Sequence, residues 1–205
     1  MNKLESLPQW EGFYEDYRYK IAYSGRGAGK SMAAIIALLY FASRAKLRIF
    51  CLREFQASIA DSIKAEIEKC IALSGTEDAW LIHEQYIKHK ITGSTFRFRG
   101  LQNSRGLKSL SDADIAFIEE AEDTTPESWE ILVPTIRKPN SEIWCCLNPK
   151  ARTSVMAKTF LEAEVLPPGT LLMTSSYLEN TLLNPAQVLE AQHMLDTNPT
   201  LYRNI

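Results

Sequence analysis

The 205-residue sequence lacks the features of a membrane protein and of a uniformly basic one. No apolar run approaches the roughly 20 consecutive residues that a membrane-spanning helix needs. Residues 1–6 contain no apolar segment of the kind found in secretory signals. The formal net charge is −2, so any contact with nucleic acid is expected to be local rather than spread over the surface.

Metal-site and disulfide patterns are also missing. The four cysteines have no CxxC spacing, and the three histidines have no ligand spacing relative to them, which argues against a zinc site. Cys145 and Cys146 are adjacent and therefore point to opposite faces of any strand. We predict that all four cysteines, the other two being Cys51 and Cys70, are small core residues in a reducing compartment.

Short apolar runs alternate with longer helical patterns, which predicts an α/β fold with a mainly parallel central sheet flanked by helices. The predicted strands are residues 19–24, 48–52, 115–118, 143–147 and 171–175. The predicted helices are residues 30–44, 58–73, 126–133 and 185–196. Two alternating runs, 86–91 and 95–99, flank Thr-Gly-Ser and predict a small β-hairpin.

A glycine-rich segment joins the first predicted strand to the first predicted helix. It reads SGRGAGKS and consists of Ser24, Gly25, Arg26, Gly27, Ala28, Gly29, Lys30 and Ser31. Glycines allow the backbone to curl so that its N–H groups surround phosphate oxygens, and the helix N-terminus adds partial positive charge. Lys30 would then reach the β and γ phosphates of a nucleotide, and the Ser31 hydroxyl would bind Mg²⁺.

One position departs from the usual form of this motif, because Ser24 stands where a glycine is expected. Serine is small and its backbone can still donate, so the departure is mild. The alternative is a glycine-rich turn that binds nothing. The Lys-Ser pair after the third glycine, between a strand and a helix, favours phosphate binding.

Carboxylates end the predicted strand in DIAFIEEAE, residues 114–122. In P-loop enzymes one carboxylate at such a strand end holds Mg²⁺, directly or through water, and a second orients the attacking water. Glu119 and Glu120 fit these two roles in that order. The alternative is a solvated acidic turn before the helix at Pro126, where negative charge suits the helix N-terminus. The phosphate loop upstream favours the functional interpretation, and the second glutamate indicates hydrolysis rather than transfer to another acceptor.

Four further residues are weaker candidates for the same site. Arg26, inside the loop, could stabilise charge on the γ-phosphate, or it is a surface arginine. Asn148 would place an amide near the γ-phosphate, or it belongs to an Asn-Pro turn. Arg18 and Tyr19, before and at the start of the first strand, could stack on adenine, and a packing role is equally plausible.

Basic residues cluster around the predicted hairpin and the loop after it, and they form a candidate surface for DNA phosphates or a neighbouring subunit. This cluster comprises Arg97, Arg99, Arg105 and Lys108. A solvated hairpin face is the more common reason for such charges. Arg137 and Lys138 are additional candidates for an arginine or lysine that acts on a neighbouring subunit.

Several motifs together resemble the large terminase subunits of tailed bacteriophages. They are SGRGAGKS, DIAFIEEAE, ESWEILVPTIRKPNSEIW, the LNP turn and the final NPTLYRNI, and they occur in order from about Tyr17 to the end of the chain. The combination of EEAE with the ESW…PTIRKP segment is far narrower than a generic phosphate loop.

The resemblance implies a P-loop NTPase of the ASCE or RecA-like class that uses ATP and Mg²⁺. It implies that Lys30 and Ser31 hold phosphate and metal, that Glu119 is the metal-associated acid and Glu120 the catalytic one, and that Asn148 couples hydrolysis to DNA movement. Arg26 matches the arginine within the family's phosphate loop. We expect residues 1–205 to form the N-terminal ATPase domain alone, without the RNase H-like nuclease domain that follows it in the family.

The same resemblance implies partners and a location. They are double-stranded DNA, the viral portal, the small terminase subunit and further copies of the chain in a ring, in the host cytoplasm and away from membranes. We expect the isolated domain to be a monomer. Two other functions stay open at this stage: another P-loop DNA translocase or helicase, and a nucleotide-binding switch with negligible turnover.

Overall fold

The computed structural model describes residues 6–55, 60–102, 107, 110–149, 152–183 and 185–197. Eight strands in these residues form one sheet in the order β3-β4-β5-β2-β6-β7-β1-β8. Their bounds are β1 Tyr19–Tyr23, β2 Arg48–Arg53, β3 Trp80–Ile82, β4 Tyr86–His89, β5 Thr95–Gly100, β6 Ile115–Ile118, β7 Glu142–Leu147 and β8 Thr170–Thr174. All neighbours from β5 to β8 in this order are parallel, and only β3, β4 and β5 pair antiparallel.

Four α-helices that have defined bounds within the described residues connect or follow the strands. They are α1 Lys30–Ala42, α2 Ala65–Ser74, α3 Pro126–Thr135 and α4 Pro185–Thr197. Shorter 3₁₀ helices occupy Pro8–Tyr14, Glu77–Ala79, Ala121–Asp123 and Tyr177–Glu179, and π-helical turns occupy Ala60–Lys64 and Ala157–Leu161. Within the described residues, no helix is long and apolar enough to cross a membrane.

The sheet is buried on both faces, as expected for parallel strands that alternate with helices. On one face, Cys51, Phe117 and Cys146 pack with residues of α1, α2 and the first 3₁₀ helix. On the other face, Leu52, Ile118 and Cys145 pack with α3 and the turn at Ala157–Leu161. Successive residues of a strand therefore pack against the helices on opposite faces of the sheet.

The predicted α/β fold with a mainly parallel sheet and a small hairpin is confirmed. The strand predicted at residues 115–118 has the same bounds in the structure, and the hairpin consists of β4 and β5. The strand β3 extends the hairpin and was not predicted, because its three residues are too short for a period-two pattern to stand out. All four cysteines are buried and free, as predicted for core residues.

The helix predicted over residues 58–73 differs from the observed one. A π-helical turn, Ala60–Lys64, precedes α2, and the first two predicted residues lie outside the described ones. Ile63, Ile67 and Ile71, which are spaced four residues apart within the predicted helix, are fully buried in the core.

Candidate active site

The glycine-rich segment forms a tight loop between β1 and α1. Gly27 and Gly29 have φ angles of 80° and 81°, in the left-handed region that L side chains rarely adopt. Gly29 immediately precedes Lys30, the first residue of α1. The loop therefore delivers the N-terminus of a 13-residue helix, with its partial positive charge, to the end of β1.

Lys30 is buried at the base of this loop. Its ammonium donates to the Gly25 carbonyl at 3.3 Å and to Oδ1 of Asn148 at 2.5 Å. Burial lowers the pKa of Lys30, and the negative charges of Glu122 and Glu119 act in the opposite direction. A lysine held this way carries a charge whose hydration is incomplete, which suits an anionic ligand.

Two side chains from distant segments brace the loop by binding its carbonyls. The indole of Trp10, fully buried in the first 3₁₀ helix, donates to the Ala28 carbonyl at 2.8 Å. The Asn180 amide donates to the Gly27 carbonyl at 2.6 Å. Both bonds fix backbone groups that would otherwise be free to rotate, so the loop conformation is preorganised.

Glu119 and Glu120 follow β6 directly. Glu119 is buried, while the Glu120 side chain is half exposed. Glu120 has φ 51° and ψ 43°, a left-handed conformation that is uncommon for a residue with a side chain. Such conformations persist only where surrounding contacts impose them, and they are frequent at active sites.

Arg53, the last residue of β2, contacts both glutamates. Its Nε donates to Oε2 of Glu119 at 2.7 Å, a second guanidinium nitrogen contacts the same oxygen, and a third lies 3.3 Å from Oε2 of Glu120. Burial raises the pKa of Glu119, and the charge and hydrogen bonds of Arg53 oppose that rise. Arg53 therefore fixes both carboxylates relative to the neighbouring strand.

The glutamates of residues 119–124, here named the acidic turn, line one cavity of about 490 Å³ together with the phosphate loop and Asn148. The sheet order explains this arrangement, because β7 lies between β1 and β6 and places Asn148 between the loop and the two glutamates. Parallel strands bring their carboxyl ends to one edge of a sheet, where ligands of α/β proteins bind. The structure thus brings together Arg26, Lys30, Ser31, Glu119, Glu120 and Asn148.

The side chains of Ser31 and Glu119 fit a magnesium ion. They line the same cavity, and the Ser31 hydroxyl, like Arg53, opposes the rise in the pKa of Glu119. A hydroxyl and a carboxylate supply the hard oxygen ligands that Mg²⁺ prefers, and the ion commonly needs only one or two protein ligands beside phosphate oxygens and water.

Arg18 and Tyr19 lie elsewhere. They are at the amino end of β1, at the edge of the sheet opposite the phosphate loop. The Arg18 guanidinium donates to the Ser141 carbonyl at 2.7 Å and to the Ile136 carbonyl at 2.5 Å. The Tyr19 ring packs against Trp129 and Phe160. This placement favours the packing role and gives no support to a contact with adenine.

The predicted basic cluster is only partly described. Arg97 is exposed on β5, Arg99 is half-buried and donates to the Phe98 carbonyl, and Arg105 and Lys108 lie outside the described residues. Arg137 and Lys138 are exposed before the amino end of β7, where Lys138 pairs with Asp114 at 2.5 Å. Their roles toward DNA or a neighbouring subunit stay predictions.

Several residues in or beside the cavity were not predicted. Arg53 follows a predicted strand but belongs to no motif, and only the pairing of β2 with β6 reveals its contact with the glutamates. Glu66 on α2 lines the cavity, and burial followed by the charge of Glu119 raises its pKa. Glu122 lines the cavity too, and its carboxylate accepts from the Asn148 backbone N–H at 3.0 Å. The EEAE pattern marks Glu122 as part of the turn without indicating this contact.

Solved structures with the same fold include large terminases of other phages. The large terminase of a thermophilic bacteriophage, in complex with ADP, matches with a TM-score of 0.78 at 12% identity over 98% of this chain and 52% of its own length. The ATPase domain of the large terminase of Thermus phage P74-26 matches with a TM-score of 0.69 at 16% identity, over 98% of this chain and 92% of that domain.

Sequence comparison gives the family. The large terminase subunit of Bacillus phage SPP1 is 21% identical over 193 residues, which cover 88% of this chain and 46% of that protein. The PBSX phage terminase large subunit of Bacillus subtilis is also 21% identical, over 93% of this chain and 50% of its length. The chain therefore spans about half the length of these relatives. The family model described as phage terminase large subunit matches residues 16–205, and the chain belongs to that family.

Proposed function

We propose that this chain binds ATP with Mg²⁺ in the cavity between the phosphate loop and the acidic turn, and that it hydrolyses the γ-phosphate. One observation carries the proposal: Lys30 and Ser31 at the start of α1 line the same cavity as Glu119 and Glu120 at the end of β6. Family membership and the fold shared with terminase ATPase domains support it.

The loop and Lys30 would bind the phosphates. The curled backbone and the N-terminus of α1 offer N–H donors and partial positive charge to the phosphates. The Lys30 ammonium is buried beside them, where a phosphate oxygen would replace or join the Asn148 oxygen as its partner. Arg26 is exposed at the rim of the cavity and would add a second positive charge near the γ-phosphate.

Ser31 and Glu119 would hold the magnesium ion, directly or through water. The bound ion would neutralise charge on the phosphate oxygens as the γ-phosphate departs. Glu119 would reach the ion from the end of β6, where Arg53 holds its carboxylate. The second carboxylate, Glu120, would orient a water molecule and accept its proton during attack on the γ-phosphate.

The wider role that we propose is that of the motor domain of a viral DNA-packaging machine. In this role, hydrolysis would drive double-stranded DNA into a procapsid in the host cytoplasm, in a ring of copies on the portal and with the small terminase subunit. Asn148, which contacts Lys30 through its side chain and Glu122 through its backbone, would transmit the nucleotide state to the rest of the domain.

The test is ATP hydrolysis by the 205-residue chain, with Glu120→Ala as the diagnostic variant. We expect magnesium-dependent phosphate release that is slow for the monomer, because an arginine from a neighbouring subunit can contribute about 10³–10⁵ in kcat. Glu120→Ala should bind ATP normally and lose turnover by about 10²–10⁴-fold, the usual contribution of a general base. Glu130→Ala, an exposed glutamate on α3, is the matched control. Hydrolysis that is unchanged in Glu120→Ala would refute the proposed role of this residue.

A further inference from the structure

The acidic turn that carries Glu120 is attached at its far end to Glu54, the residue after Arg53. The Glu54 side chain is almost fully buried. Its Oε2 accepts from the Thr125 backbone N–H at 3.2 Å, and its Oε1 accepts from the hydroxyls of Thr125 at 3.1 Å and Ser128 at 2.9 Å. Thr125 is the N-cap of α3, so Glu54 binds the beginning of that helix.

Arg53 ends β2 and Glu54 follows it, and their side chains lie on opposite faces of the sheet. Arg53 continues the face of Cys51, on the side of α1, whereas Glu54 continues the face of Leu52, on the side of α3. Arg53 fixes Glu119 and Glu120 at the beginning of the acidic turn, and Glu54 fixes its end at Thr125. Between Glu119 and Thr125 lie the left-handed Glu120, the 3₁₀ helix Ala121–Asp123 and Thr124.

We propose that Glu54 is a positioning residue for hydrolysis, which holds the acidic turn in the conformation that presents Glu120 to the cavity. This inference rests on the proposed function. Glu120 adopts an uncommon backbone conformation that surrounding contacts must maintain. Without Glu54 the turn loses its attachment at Thr125, so Glu120 is held less firmly in that geometry even though Arg53 still contacts its carboxylate, and the phosphate loop on the other side of the cavity is untouched.

Glu54 also joins the acidic turn to the loop that follows β5. Its backbone carbonyl accepts from the Gln102 N–H at 3.3 Å, just as the Arg53 carbonyl accepts from the Leu101 N–H at 2.8 Å. Glu54 therefore binds both Gln102, through its backbone, and Thr125, through its side chain.

The experiment compares Glu54→Ala, Glu54→Gln and the exposed control Glu130→Gln in steady-state ATP hydrolysis. We expect Glu54→Ala to lower kcat by about 100-fold, the effect of a displacement of about 1 Å, with KM for ATP close to that of wild type. Glutamine can still accept from the Thr125 N–H and can donate to the two hydroxyls, so Glu54→Gln should retain most of the activity.

A residue that only stabilises the fold would act differently, since it would lower the melting temperature and leave kcat of the folded protein unchanged. That result overturns the inference and leaves the proposed function intact. Hydrogen–deuterium exchange gives a readout independent of turnover: amides of residues 119–128 should exchange faster in Glu54→Ala, while those of the phosphate loop should not change. Unchanged exchange over residues 119–128 would also overturn the inference, whether or not the wild-type chain hydrolyses ATP.

Discussion

Lys30 and Asn148 are joined by a 2.5 Å hydrogen bond between the Lys30 ammonium and the Asn148 side-chain oxygen. The two residues are 118 positions apart; Lys30 begins α1, and Asn148 directly follows β7. The Asn148 backbone N–H binds Glu122 on its other side. Asn148 is therefore the direct link between the phosphate loop and the acidic turn, and the bond can be tested from either side.

Replacing Asn148 with aspartate should weaken ATP binding. A carboxylate would pair with the Lys30 ammonium and repel the triphosphate, and a hydrogen bond to a charged group contributes about 1.5–3 kcal/mol. This corresponds to a Kd for ATP about tenfold higher or more. Asn148→Ala, which leaves Lys30 free for phosphate, should bind ATP nearly as well as wild type. Isothermal titration calorimetry distinguishes the two, and equal affinities would contradict the assigned contact.

We expect that lysine cannot replace Arg53 in ATP hydrolysis. Its guanidinium contacts Glu119 and Glu120 at once, which the single ammonium of lysine does not reproduce. Removal of one partner from a buried ion pair typically costs about 3–5 kcal/mol. We expect Arg53→Ala to lower the melting temperature and abolish turnover, and Arg53→Lys to recover part of the stability but little of the turnover. A fully active Arg53→Lys would mean that one positive charge is enough for turnover and that the double contact of the guanidinium is not needed.

Trp10→Phe should loosen the phosphate loop without touching the cavity. The change keeps an aromatic ring but leaves the Ala28 carbonyl without its indole donor, and an unsatisfied buried acceptor costs about 1–3 kcal/mol. We predict a higher KM for ATP with kcat nearly unchanged. The control is Trp80→Phe, at a buried tryptophan on β3. It should affect the melting temperature alone, and an equal rise in KM there would remove the specific role of Trp10.

The Cys70 thiol should resist alkylation in the folded chain. Burial, with a smaller effect of Glu66, raises its pKa from 9.0 to about 12, which lowers the thiolate fraction at pH 8 by about a thousandfold. Because the folded pKa is raised, this group favours folding below pH 9 and loses that contribution as the pH rises toward 12. Iodoacetamide at pH 8 should modify Cys70 rapidly in urea and very slowly in buffer, as measured by mass spectrometry. Rapid labelling in buffer would contradict the buried position of α2.

The parts of the site that are local in sequence were predictable. The phosphate loop is contiguous, so glycine spacing and the following Lys-Ser define it, and DIAFIEEAE marks both the buried strand and its acidic end. The order of the strands is a long-range property that no local pattern contains. For that reason the position of Asn148 between loop and glutamates followed only weakly from the sequence, and Arg53 and Glu54 did not follow at all.

Arg18 and Tyr19 illustrate the converse problem. An arginine and an aromatic residue near a phosphate loop in sequence suggest a contact with adenine, but they lie at the amino end of β1, whereas the loop follows its carboxyl end. Their partners, the Ser141 and Ile136 carbonyls and the rings of Trp129 and Phe160, come from segments more than 100 residues away. These contacts favour the packing role that the sequence had left open, and a contact with adenine stays a prediction.

We expect ATP to bind with its phosphates on the loop that ends at Lys30. Calorimetric titration of ATP and Mg²⁺ into the 205-residue chain and into Lys30→Ala tests it most directly, with circular dichroism to establish that both are folded. We predict measurable binding by the wild-type chain and a loss of at least about tenfold in affinity in Lys30→Ala, since a charge-assisted hydrogen bond is removed. Equal affinity of the two proteins would place the nucleotide elsewhere and contradict phosphate binding by this loop.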